Sequence, residues 1–189
     1  MFAPGLHTEG ETLAGYLADQ LQALRTSAYG LTEEQARATP TRSALSVGGL
    51  LKHATYVLGG RERRRQGQEI TPETQALFVG SFALTEEETL AGVLEAYDAA
   101  VADYLAEVRQ LDPDAETVEP AAPWHGIEQP TPVRERYVLV HHVEELARHA
   151  GHADVIREQL DGATALSLRM AELGLPGNAF VTPWSPDAP

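Results

Sequence analysis

Cysteine is absent from this 189-residue chain, and basic residues are scarce: 14 Lys and Arg stand against 28 Asp and Glu, a formal net charge of -14. Without cysteine there is no disulfide framework, no thiolate zinc site and no cysteine nucleophile, so any thiol chemistry must use a thiol carried by a ligand. The acidic balance argues against nucleic acid and anionic membranes as partners, because both call for a basic surface. Apolar runs are short, and none is long enough to span a bilayer. The start Met1-Phe2-Ala3-Pro4-Gly5 lacks the basic and apolar regions of a signal peptide, so a cytoplasmic protein is expected. Strand-type alternation is scarce, and no internal repeat or low-complexity segment is present.

What is there is helical periodicity. A 43% hydrophobic content over this length supports one substantial core, and one domain spanning 1–189 is expected. Leu13, Tyr16, Leu17, Leu21, Leu24 and Ala28 follow a spacing of three and four, with Gly30 as a stop. A second segment, from about Ser46 to Arg65, carries Val47, Leu50, Leu51, Ala54, Val57 and Leu58, with His53 at the edge of the stripe and Gly49 leaving its flank uncrowded. In the third, Thr85 and Glu88 read as a capping box ahead of Leu90, Leu94, Tyr97, Val101, Tyr104 and Val108. The fourth is expected to begin at Thr131-Pro132 and run to Asp161-Gly162, along Leu139, His142, Leu146, His149, Ala153, Ile156 and Leu160. A short extra C-terminal helix over about 163–173 ends at Gly174, and residues 174–189 form an extended tail.

These elements predict an all-α fold, a four-helix bundle. The connections are long: about 10–15 residues between the first two helices and roughly 20 in the next two, against a usual range of about 2–8. The last of these loops holds Trp124 and His125, placed to cover one end of the bundle.

One helical face concentrates chemistry. Residues three and four apart are neighbours on a helix, so Glu145 and His149 project side by side, with His142 and His152 close by on the same helix. An ionisable group in an apolar seam is costly unless it is paired or binds a metal. A single buried histidine is more often a hydrogen-bonded core residue, and an internal network tied to His53 is the alternative to a metal here. A zinc-type site needs three N or O ligands and an open position. His53, Glu145 and His149 satisfy that, although on spacing alone His142 or His152 can replace Glu145.

The pattern Leu50-Leu51-Lys52-His53, followed by His141-His142-Val143-Glu144-Glu145-Leu146-Ala147-Arg148-His149-Ala150-Gly151-His152 and Asp161-Gly162, resembles the DinB-like superfamily. It is similar in particular to an actinobacterial-type branch related to mycothiol-dependent maleylpyruvate isomerase, and the resemblance covers roughly residues 8 to 165. It implies a bundle in up-down-down-up order with a divalent metal at one end of the core. By position, it implies His53, Glu145 and His149 as the metal ligands, with glutamate at 145 as in the isomerase branch. His152 resembles a residue that orients a ligand. The chain departs from those isomerases in its length, which is expected to be short for their separate C-terminal domain, so maleylpyruvate is not carried over as the expected substrate.

The resulting functional expectation is a divalent-metal-dependent transferase or isomerase that uses a low-molecular-weight thiol, mycothiol or similar, on a small-molecule electrophile. Zinc is the first choice of metal, with nickel, iron and manganese also suited to two imidazoles and a carboxylate. His142 and His152 are weak candidates for proton transfer, and Arg61, Trp124 and His125 are weak candidates for holding the thiol or substrate. The alternative is a non-catalytic bundle that binds metal or a small molecule, which a fourth protein ligand closing the site would favour. Bundles of this size often pair as homodimers, and the sequence marks no interface.

Overall fold

In a computed structural model of the chain, residues 2–61, 71–122 and 126–186 are described. Among them are seven helices and one two-stranded sheet: α1 (Glu9–Ser27), α2 (Glu33–Arg37), α3 (Val47–Leu58), α4 (Pro72–Gly80), α5 (Leu90–Val108), β1 (Glu116–Glu119), β2 (Thr131–Arg134), α6 (Glu135–Asp161) and α7 (Ala165–Glu172). The molecule is mostly helical.

Local chemistry sets most helix ends. Thr8 caps α1 in a reciprocal box with Glu11, and acidic Glu9 and Glu11 sit favourably against the positive end of the helix dipole. Ser46 caps α3 by accepting from Gly49 N at 3.1 Å. Gly162, at a φ of 73°, closes α6 in the left-handed conformation that a side chain would disfavour.

The four longer helices share a core. The most extensive pairings are α1 along α6 and α3 along α5, and smaller contacts join α1 to α5 and α3 to α6. Leu17, Leu21 and Leu24 of α1 meet Leu50 and Leu51 of α3, Tyr97 of α5 and Leu139, Leu146 and Ile156 of α6, all essentially without solvent contact. Each such side chain contributes about 1.5–3 kcal/mol on burial. Tyr97 keeps its hydroxyl satisfied in that interior by donating to the Leu21 carbonyl at 2.8 Å.

Several sequence expectations are corrected. The Thr85–Glu88 pair closes a turn of its own, with Glu88 accepting from Thr85 N at 2.7 Å, but the helix starts later. Thr89 is the cap of α5, and Glu33 accepts from Leu90 N at 2.9 Å. Thr131-Pro132 does not begin the last long helix. Those residues lie in β2, whose backbone pairs antiparallel with β1, Val118 opposite Pro132 and Glu116 opposite Arg134, so helix formation waits until Glu135. The long connections are not bare: they hold α2, α4 and the hairpin-like β1–β2 pair. Tyr16, placed in the first seam by spacing, is about half exposed, and Ala14 takes the inward position instead.

Gly49 is the most consequential correction. A Cβ there would lie 2.0 Å from the Phe82 carbonyl oxygen, so the flank is filled by backbone rather than open. The absent side chain lets the Ser81–Phe82 segment lie directly on α3, one turn from His53. The C-terminal tail is not free either. The Trp184 ring lies 4.9 Å from the Arg157 guanidinium, and the Trp184 backbone N–H donates to Ser167 O at 3.0 Å.

Candidate metal centre

His53 from α3 and Glu145 and His149 from α6 converge where these helices touch. The His53 and His149 rings lie 5.0 Å apart, nearly perpendicular at 77°. His149 Nε2 stands 3.9 Å from a Glu145 carboxylate oxygen. That second pairing follows directly from their i,i+4 spacing on one helix. The first requires the α3–α6 packing.

The two imidazoles are buried unevenly, His53 almost completely and His149 with its edge toward solvent. Burial pushes the His53 imidazole from its ordinary 6.5 down to about 4, and the neighbouring His149 adds to the effect. His149 is lowered too, chiefly by burial. Glu145 opposes that shift, while His152 and Arg148 add to it. Both rings are therefore neutral near pH 7 and each carries a nitrogen lone pair, the form in which histidine binds metal.

Aromatic side chains wall the His53 side. The Phe82 ring stacks on His53 at 3.8 Å and 18°, and Phe78 approaches edge-on at 5.4 Å. Tyr56 packs against Phe78 at 6.0 Å. Sequence reading had no signal for Phe78, Ser81 or Phe82, because they belong to α4 and its C-terminal turn, a stretch without helical amphipathicity.

The donor set fits a divalent cation. Two neutral imidazoles and one carboxylate are the ligand types of N/N/O metal sites. His149 Nδ1, the ring nitrogen other than the one nearest Glu145, is buried without a hydrogen-bond partner, a costly state for a polar atom that a group bound at that nitrogen would relieve. His141, Glu144 and Glu145 form a second cluster, with ligand atoms all within 4.8 Å of one another. Its Glu144 is exposed and already paired with Arg148 at 2.7 Å, and exposed acidic groups gather readily without an ion. The His53–His149 pair, largely shielded from solvent and uncharged, is the better-prepared candidate, and Glu145 belongs to both groups.

The other sequence candidates lie elsewhere or have internal partners. His142 Nδ1 is 2.7 Å from the Tyr104 hydroxyl, in the core. His152 is exposed on α6, and Arg148 sits on the solvent face with Glu144. Arg61 is buried in a bidentate pair with Glu135, at 2.7 and 2.9 Å, and also donates to Glu107 at 2.9 Å. These bonds outweigh the opposing effect of burial and hold its guanidinium charged. Three of its donors are thus directed at the protein's own carboxylates. Trp124 and His125 lie outside the described residues.

No helix among the described residues is long and apolar enough to cross a membrane. The fold resembles a solved structure of a conserved protein from Enterococcus faecalis, with a TM-score of 0.59 and 14% identity over 83% of this chain and 99% of that one. That likeness is one of fold. Comparison with curated proteins gives no match. A family model described as mycothiol-S-transferase matches residues 12–162.

Proposed function

We propose, on the premise that this chain belongs to the mycothiol-S-transferase family of the DinB-like superfamily, that it is a divalent-metal-dependent enzyme transferring a low-molecular-weight thiol to a small electrophile. The observation carrying this reading is the meeting of the buried His53 imidazole and the partly buried His149 imidazole, both neutral, with the Glu145 carboxylate at the α3–α6 contact. We read the four longer helices as a four-helix bundle in up-down-down-up order, with His53, Glu145 and His149 as ligands at one end of its core.

A divalent cation held by these three residues would supply an open coordination position that favours the thiolate form of an incoming thiol. The remaining work falls to the chain. His53 and His149 stay unprotonated at neutral pH because burial disfavours their charged forms, so their donor atoms are available without displacing a proton. Glu145 contributes the negative charge that a dicationic centre needs. Phe78 and Phe82 keep water from the His53 ring and offer an apolar wall to an electrophile. The absence of cysteine leaves the chain with no thiol of its own to compete for the ion.

The test is metal content by mass spectrometry on untagged protein, beside H53A, E145A and H149A, followed by turnover of mycothiol against a panel of electrophiles. Near-stoichiometric metal in the wild type, lost in the variants, with mycothiol-dependent consumption of an electrophile is the expected result. Metal-loaded protein that turns over none of the panel with mycothiol overturns the transferase reading. Wild-type protein that binds no metal after reconstitution leaves a small-molecule-binding bundle as the better description.

A further inference from the structure

We infer that Ser81 is a positioning residue that fixes the tautomer of His53, holding the proton on Nδ1 and leaving the Nε2 lone pair for a ligand. The identification of that ligand as a divalent cation rests on the proposed function above; the tautomer assignment does not.

The Ser81 hydroxyl has one proton. Its oxygen lies 2.6 Å from the Phe78 carbonyl oxygen, a separation that two oxygens adopt only with a proton between them, and a carbonyl can only accept. The Ser81 proton is therefore committed to Phe78. The same hydroxyl oxygen is 2.8 Å from His53 Nδ1, and with its proton spent it can only accept there. Nδ1 must then be the protonated nitrogen, and in a neutral imidazole the lone pair falls to Nε2.

The arrangement is fixed from several sides. Ser81 is 2% exposed, so water does not compete for its hydroxyl. It is the C-terminal cap of α4, its own N–H reaching Phe78 O at 3.2 Å, so the hydroxyl is anchored to a helix end. Phe82, the next residue, stacks flat on the His53 ring at 3.8 Å, which restricts ring rotation. The segment can lie this close because Gly49 has no side chain beneath Phe82. A ligating histidine commonly donates its other ring N–H to an oxygen that orients it, and losing such a partner lowers metal affinity about 10–100-fold. Here the oxygen is a serine hydroxyl polarised by a helix-terminal carbonyl.

The experiment uses metal-free full-length protein at pH 7.5, with the His53 ring nitrogens assigned by 15N-detected proton correlation in wild type and S81A. Zinc affinity is then measured by competition with a chromophoric chelator, with H53A for comparison. The expected result is an Nδ1–H ring in the wild type, movement toward Nε2–H in S81A, and a zinc dissociation constant raised about 10–100-fold while the thermal transition of S81A stays cooperative. A wild-type ring protonated on Nε2, or an S81A variant with unchanged tautomer and zinc affinity, overturns the assignment. A tautomer that moves as expected in a protein where even the wild type binds no zinc upholds Ser81 as the orienting group and overturns the cation as its purpose.

Discussion

Replacing Gly49 by alanine tests the packing that brings the candidate centre together. In most helices this change is stabilising, by up to about 1 kcal/mol, because alanine loses less backbone freedom. At position 49 the new Cβ would stand 2.0 Å from Phe82 O and 2.8 Å from Phe82 C. Ordinary contact begins near 3.4 Å, so the Phe82 backbone must retreat by about 1.4 Å or α3 must shift. Overpacking of that kind costs about 1–3 kcal/mol. The net expectation is a loss of about 1–2 kcal/mol, which for a chain of this size lowers the melting temperature by about 2–8 °C. Gly151 is the internal control: it lies within α6, is exposed, and a Cβ there meets nothing within 4 Å. G151A should therefore raise the melting temperature by about 2–4 °C. The two variants differ in sign for one chemical change, which calorimetry reads directly. The displaced Phe82 also carries Ser81 away from His53, so G49A should weaken zinc binding while G151A leaves it alone. A G49A protein as stable as the wild type would refute the claim that backbone fills this flank.

Two further outcomes follow from the electrostatics. His53 and His149 titrate lower in the folded protein than in the unfolded chain, so the unfolded state binds more protons as the pH falls. Stability of the metal-free protein should accordingly be complete above about pH 6.5 and decline from there toward pH 4, the window set by His53; urea midpoints that do not move across it would contradict the burial assigned to these rings. Arg61→Met leaves the buried Glu135 carboxylate unpaired and should cost about 3–5 kcal/mol in urea unfolding, whereas the double change with Glu135→Leu should recover most of that loss. A single variant that unfolds like the wild type would show that the Arg61–Glu135 pair does not stabilise the fold.

The chain's local patterns were informative about local facts. Apolar spacing of three and four located the helices that carry the core, since a helix's buried stripe is a property of its own residues. Glu145 and His149 were legible as neighbours for the same reason, their separation being one helical turn. Boundaries were less legible. Thr85–Glu88 has the residues of a capping box and makes its turn, but a following cap at Thr89 wins the helix start. Pro132 suits a helix N-terminus, yet it lies opposite Val118 in a strand pair, an outcome set by residues elsewhere in the chain.

Only tertiary structure decided the other half of the candidate centre. That His53 faces His149 depends on α3 packing against α6, and that its ring is oriented depends on Ser81 and Phe82, which no periodicity connects to it. Arg61, from sequence a weak candidate for holding the thiol or substrate, is directed at Glu135 of α6 and Glu107 of α5. The division has a physical cause. Covalent spacing fixes which side chains share a helical face, whereas desolvation, hydrogen-bond partners and proton placement are set by groups that meet only when separate helices bury their apolar stripes against one another.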